Sequence, residues 1–216
     1  MSPMFWIWSH LSFVLLIASM LSLLVNCRSR LQSILLCVII PSVLAVLPLG
    51  QTDVSGFVLA HMGTLSASML VLLAFQLFAN VGSIETFSAS MLRNMNLFWF
   101  ATGMILYPAA LGLFTRDVYV FGFHNSMSWC VLAVSVVAML CRYRILGLCL
   151  AFSVLAHLMM LHESPNLWDY LIDPWLWIAA FVSLPAGMCR QLLGAKLKNE
   201  VHTNSASSTL VRDAEI

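Results

Sequence analysis

Charge is scarce in this chain. Asp, Glu, Lys and Arg make up 9% of its 216 residues, against 61% hydrophobic ones. A soluble domain carries roughly 25% charged residues. So few charges cannot cover a water-facing surface, and the sequence predicts a protein whose solvent is lipid. The net charge is +1, which leaves no basic excess for nucleic acid as a partner.

Chemical signatures are missing too. The sequence holds no GxSxG nucleophile elbow, no CxxC and no Cys/His pairing at zinc spacing. It has no internal repeat, so an inverted-repeat transporter lacks support. No N-x-S/T sequon occurs, which points to a bacterial inner (plasma) membrane. No Lys or Arg precedes Arg28, so the apolar stretch Phe5 to Val25 lacks the basic start of a signal peptide. It also exceeds the usual apolar region of about 7–15 residues, and is expected to be a retained helix.

What is present is a series of long apolar runs. They predict an all-α integral membrane fold, a bundle of about seven transmembrane helices. The spans are Phe5 to Asn26, Leu31 to Leu49, Phe57 to Val81, Leu97 to Thr115, Ser126 to Cys141, Ile145 to Leu161 and Pro174 to Cys189. The fifth and seventh are short. Residues 1–190 form the membrane domain, and 191–216 read as a largely disordered cytoplasmic tail. With the N-terminus outside and the C-terminus cytoplasmic, Arg28, Arg30, Arg93, Arg142, Arg144, Arg190, Lys196, Lys198 and Arg212 all fall inside. Only Arg116 falls outside, as the positive-inside rule requires. Trp6, Trp8, Trp129, Trp168, Trp175 and Trp177 are expected at the outer interface and Trp99 at the inner one. Pro41, Pro108 and Pro185 are expected to kink their helices. Cys27, Cys37, Cys130, Cys141, Cys149 and Cys189 read as small packing residues, with only Cys130 in the outer half.

The polar chemistry gathers on the predicted outer side. His10, His61, His124, His157 and His162 map there, as do Asp53, Asp117, Glu163, Asp169 and Asp173. His10, His61 and His157 lie roughly 6–9 Å below the outer interface at 1.5 Å per residue. Three imidazoles at one depth make a candidate metal or haem site. Each also has a bland reading, a ring bonded to a backbone carbonyl or a neighbouring helix. His157 and His162 are five apart, a poor chelating spacing. Asp173 before Pro174 fits an N-cap followed by proline at the first helical position. Asp169 would share a face with Asp173 if that helix began earlier. Arg116 and Asp117 are candidates for an anionic headgroup or a haem propionate, with His124, His162 and Asp173 as further ligand-binding candidates. Ala60, Gly63 and Ala67 with Thr64, Ser66 and Ser68 form a small-residue face for close helix packing.

Several functions fit this pattern. A non-catalytic membrane subunit or assembly factor needs only packing faces and partner subunits, and accounts for the absence of any complete motif. A metal- or haem-binding protein would use His10, His61 and His157. A metal-dependent hydrolase or transferase acting on lipid-linked substrates at the outer leaflet would take Glu163 or Asp169 as general base. A proton-coupled transporter lacks an acid or histidine at the membrane centre and ranks last.

Overall fold

The computed structural model describes residues 3–24, 30–82, 88–114 and 117–185. Cys27, Arg28, Glu85, Arg116, Cys189 and the whole tail lie outside the described residues. The chain is mostly helical. In order come α1 (Pro3–Leu24), α2 (Arg30–Ile34), α3 (Ile40–Ala45), a two-residue ladder of β1 (Pro48–Leu49) with β2 (Thr52–Asp53), α4 (Val54–Met62), α5 (Ala67–Gly82) and α6 (Ala89–Ala110). A 3-10 turn (Val118–Phe123) leads to α7 (Asn125–Leu140), α8 (Arg144–Leu158) and α9 (Leu167–Leu171). The last described helix, α10, runs Pro174–Pro185. Among the described residues one helix, Met4–Leu24, is long and apolar enough to cross a membrane by length and composition. The other apolar helices run 10–17 residues.

Local chemistry explains most boundaries. α2 and α3 join through a π-helical turn, Leu35–Ile39, just ahead of Pro41. Proline has no N–H to give the carbonyl four residues back, so the ladder widens there. α6 starts at Ala89, eight residues before the predicted span, because the Ser88 hydroxyl caps the Met91 N–H. That extension moves Trp99 from the expected inner interface into the middle of α6, where it is 1% exposed. Trp8, expected in the interfacial belt, is likewise buried. Trp6 and Trp129 are exposed.

The predicted third span is broken. α4 ends at Met62, and Gly63, in the left-handed region at φ 80°, turns the chain through Thr64, Leu65 and Ser66 before α5 begins. The small-residue face read from this stretch is therefore a helix break in its first half. Ala67 and Ser68 pack as expected: Ala67 is buried in the main core, and the Ser68 hydroxyl meets that of Ser153 on α8 at 3.0 Å.

α5 and α8 form the centre. α8 packs on α7, α5 and α9, while α1 packs on α5, α3 and α4. Hydroxyls tie these pairs together: Ser19 donates to the Leu73 carbonyl (2.9 Å) and Ser135 to that of Gly147 (2.7 Å). The main core joins Trp8, Leu65, Trp99, Leu150, Leu167 and Tyr170. A second cluster, Phe13, Ala45 and Leu59, seats α4 against α1 and α3.

Candidate functional site

The histidine-bearing end of the bundle is closed by α9. The stretch Asn166–Asp173 is buried apart from Trp168 and Asp169, so it forms a plug. Asn166 starts it: its side-chain oxygen caps the Trp168 N–H (2.9 Å) and its amide donates to the Tyr119 carbonyl (2.9 Å). The Trp168 indole donates to the Val118 carbonyl (3.1 Å), and the Tyr119 hydroxyl donates to Asp169 (2.8 Å). The 3-10 turn is thus stitched to α9 at three points. Burial first, then the bonded Asp169 carboxylate, pushes the Tyr119 hydroxyl up to about 12.

The helix break is braced from several sides. The Trp8 indole donates to the Leu65 carbonyl (3.2 Å) and that of Trp175 to the Met62 carbonyl (2.9 Å). The Ser66 N–H donates to Asp173 (2.8 Å), whose other oxygen accepts the Leu176 N–H (2.8 Å). One buried carboxylate therefore satisfies the N-termini of both α5 and α10. Asp173 is the N-cap the sequence predicts. Asp169 does not share its helix, because Ile172 is extended and separates α9 from α10.

His162 links the break to the plug. Its Nδ1 accepts the Ser164 N–H (3.0 Å), so Nε2 carries the proton and donates to the Thr64 hydroxyl. Burial holds this imidazole below its usual value, against the opposing charges of Asp169 and Glu163. Tyr170 donates to the His162 carbonyl (3.0 Å).

The other predicted site residues are placed as follows. His10 donates from Nδ1 to the Trp6 carbonyl (2.9 Å) and sets Nε2 3.4 Å from Asp53. That separation is an ion-pair distance and too long for an aligned hydrogen bond. His61 donates to the Phe57 carbonyl (2.8 Å) and is exposed. His157 donates from Nε2 to the Pro165 carbonyl (3.1 Å). Asp117 caps the 3-10 turn at the Tyr119 N–H (2.9 Å); Glu163 and His124 are exposed. Arg116 lies outside the described residues. The three candidate ligands His10, His61 and His157 are not grouped: each binds a different backbone carbonyl. Among the described residues no three His, Cys, Asp or Glu side chains group so as to hold a metal ion.

No protein family model matches the chain, and no similar curated protein or solved structure was found.

Sequence reasoning missed Tyr119, Asn166 and Tyr170, which hold the plug. One signal was available: Asn directly before an apolar run is a helix-start pattern. It also missed an apolar cavity of about 260 Å³ beneath the plug, between α6, α7, α8 and α9, with Trp99, Cys130, Leu150 and Trp168 in its walls.

Asp53 gives a pH prediction. Burial raises its carboxyl, but the Gly56 N–H, the Ser55 hydroxyl, the His10 charge and the Trp6 side chain together pull it below its ordinary value of 3.8. A carboxyl lowered in the folded state adds stability that is present above the ordinary value and lost as pH falls through the folded one. Thermal melts between about pH 5 and 3 should therefore show wild type losing more stability than Asp53→Asn. The difference is small because the carboxylate is partly exposed. Parallel curves would show that Asp53 holds nothing in the fold.

Proposed function

We propose that this chain is a multi-pass protein of a bacterial inner membrane, with about seven spans, an outer N-terminus and a cytoplasmic C-terminus, acting as a non-catalytic membrane subunit or assembly factor. The topology is supported by the one-sided placement of Lys and Arg in the sequence. It is also supported by the band of large exposed hydrophobic side chains on α1, α7 and α10.

The observation that carries the functional reading is how the outer-end polar groups are occupied. Asp53 and Asp173 cap helices; His10, His61 and His157 bond carbonyls; His162 and Asp169 tie the plug to the break and to the 3-10 turn. These are structural duties. An active site instead leaves reactive atoms facing a common point.

The test is complementation of a deletion strain, with membrane abundance measured alongside. His61→Ala, His157→Ala and Asp169→Asn should each restore function in proportion to the protein present. A variant at full abundance with no complementation would overturn the reading and mark a catalytic or ligand-binding residue.

A further inference from the structure

The cavity beneath the plug has rigid walls. Trp99, Leu150 and Leu171 are buried at 1–3% exposure. Trp168 is fixed from above by Val118 and Asn166. Walls so held do not collapse to close a void. Water is a poor occupant, because an ordered water needs two to four polar partners, and the buried Trp99 indole N–H is the one unpaired donor on the lining residues. Thr102, one of the few polar residues here, already donates to the Phe98 carbonyl (2.8 Å).

The mouth shows what lies outside. Cys130 and Val134 line the cavity and are exposed. With Val137, 57% exposed, they form an i, i+4, i+7 stripe along α7. On the membrane reading of the chain, on which this inference rests, that stripe faces hydrocarbon. About 150 Å³ of apolar space takes the six carbons of benzene, so 260 Å³ takes roughly ten.

We propose that the cavity is a binding site for one hydrocarbon chain of a membrane lipid, entering between α6 and α7 and ending against Trp168 and Leu171. The bound chain replaces packing contacts that the gap beside α6 lacks. It also holds up the roof of the plug.

The test uses the full chain reconstituted in dioleoyl phosphatidylcholine vesicles, then moved to a lipid-free detergent. Mass spectrometry should find about one lipid retained per wild-type protein. Val134→Trp, which fills the mouth, should lose it several-fold, and Val137→Trp, outside the cavity, should keep it. Because Val134→Trp could misfold, a second measurement uses the unmodified protein. Maleimide labelling of Cys130, followed by peptide mapping, should speed up several-fold once lipid is stripped, and slow again when the phospholipid is returned. Equal lipid retention in all three proteins with unchanged Cys130 labelling overturns the proposal. So does a Cys130–Cys130 crosslink that persists in excess lipid, which would put a second copy at the mouth. Extraction of the chain from membranes by alkaline carbonate would instead defeat the membrane reading itself. Retention in the membrane without lipid shielding of Cys130 defeats the cavity proposal alone.

Discussion

Replacing Asp173 with alanine is expected to lower the melting temperature of the purified protein by about 10 °C. The carboxylate is 4% exposed and accepts the N–H groups of Ser66 and Leu176. Removing it leaves two buried donors without partners, each costing about 1–3 kcal/mol. A total near 4 kcal/mol corresponds to roughly 10 °C in a chain of this size, at about 2–4 °C per kcal/mol. The loss also removes the negative charge facing two helix N-termini. Asp173→Asn keeps one acceptor oxygen and should lose about half as much. Thermal shift measured by fluorescence-detected size exclusion checks both. A shift under about 2 °C for the alanine variant would mean that water or another group reaches these donors.

The second large effect is expected at Gly122. A Cβ added there would lie 1.7 Å from the Asn166 side-chain oxygen and 2.8 Å from the Trp168 ring. Neither can yield easily. Asn166 is fully buried, capping α9 and bonding Tyr119, while Trp168 bonds Val118. Gly122→Ala must push the 3-10 turn away from the plug. Overpacking costs about 1–3 kcal/mol and a lost cap about 1 more. Gly112→Ala is the control: its φ of 74° strains alanine, but nothing stands within 4 Å. The Gly122 variant should melt well below the Gly112 variant. The reverse order would show that the turn and α9 are not rigidly joined.

How much of this was legible in sequence varies from element to element. Apolar runs located the helices, because burial and lipid select the same residues. The cap at Asp173 was readable because it needs only a carboxylate and the proline after it. The break at Gly63–Ser66 was not, since Thr, Leu and Ser continue the apolar pattern. What holds that break open is bonding from Trp8, Asp173, Trp175 and His162, all distant in the chain. The plug is not legible for the same reason. ESPNLWDYLIDPW looks polar enough for a loop, yet Asn166, Tyr170 and Asp173 each find partners that allow burial. Span boundaries read from sequence give the depth of each histidine along its helix, but rotation about each helix axis decides whether rings meet, and that depends on packing. His10 and His61 each turn back onto the aromatic residue four positions earlier.

On the membrane reading proposed above, the unequal helix lengths have a mechanical consequence for the surrounding bilayer. α7 and α8 contain 16 and 15 residues, about 22–24 Å at 1.5 Å each, whereas a bilayer's hydrocarbon core is about 30 Å thick. α1 and α6, at 22 residues each, reach about 33 Å. A bilayer around this molecule would then meet spans of unequal length. Beside the exposed face of α7 the leaflets would pinch inward, since leaving polar ends in hydrocarbon costs more than thinning the lipid. The protein would then act as a wedge of local thickness, bending lipid order around α7 and favouring neighbours whose own spans are short.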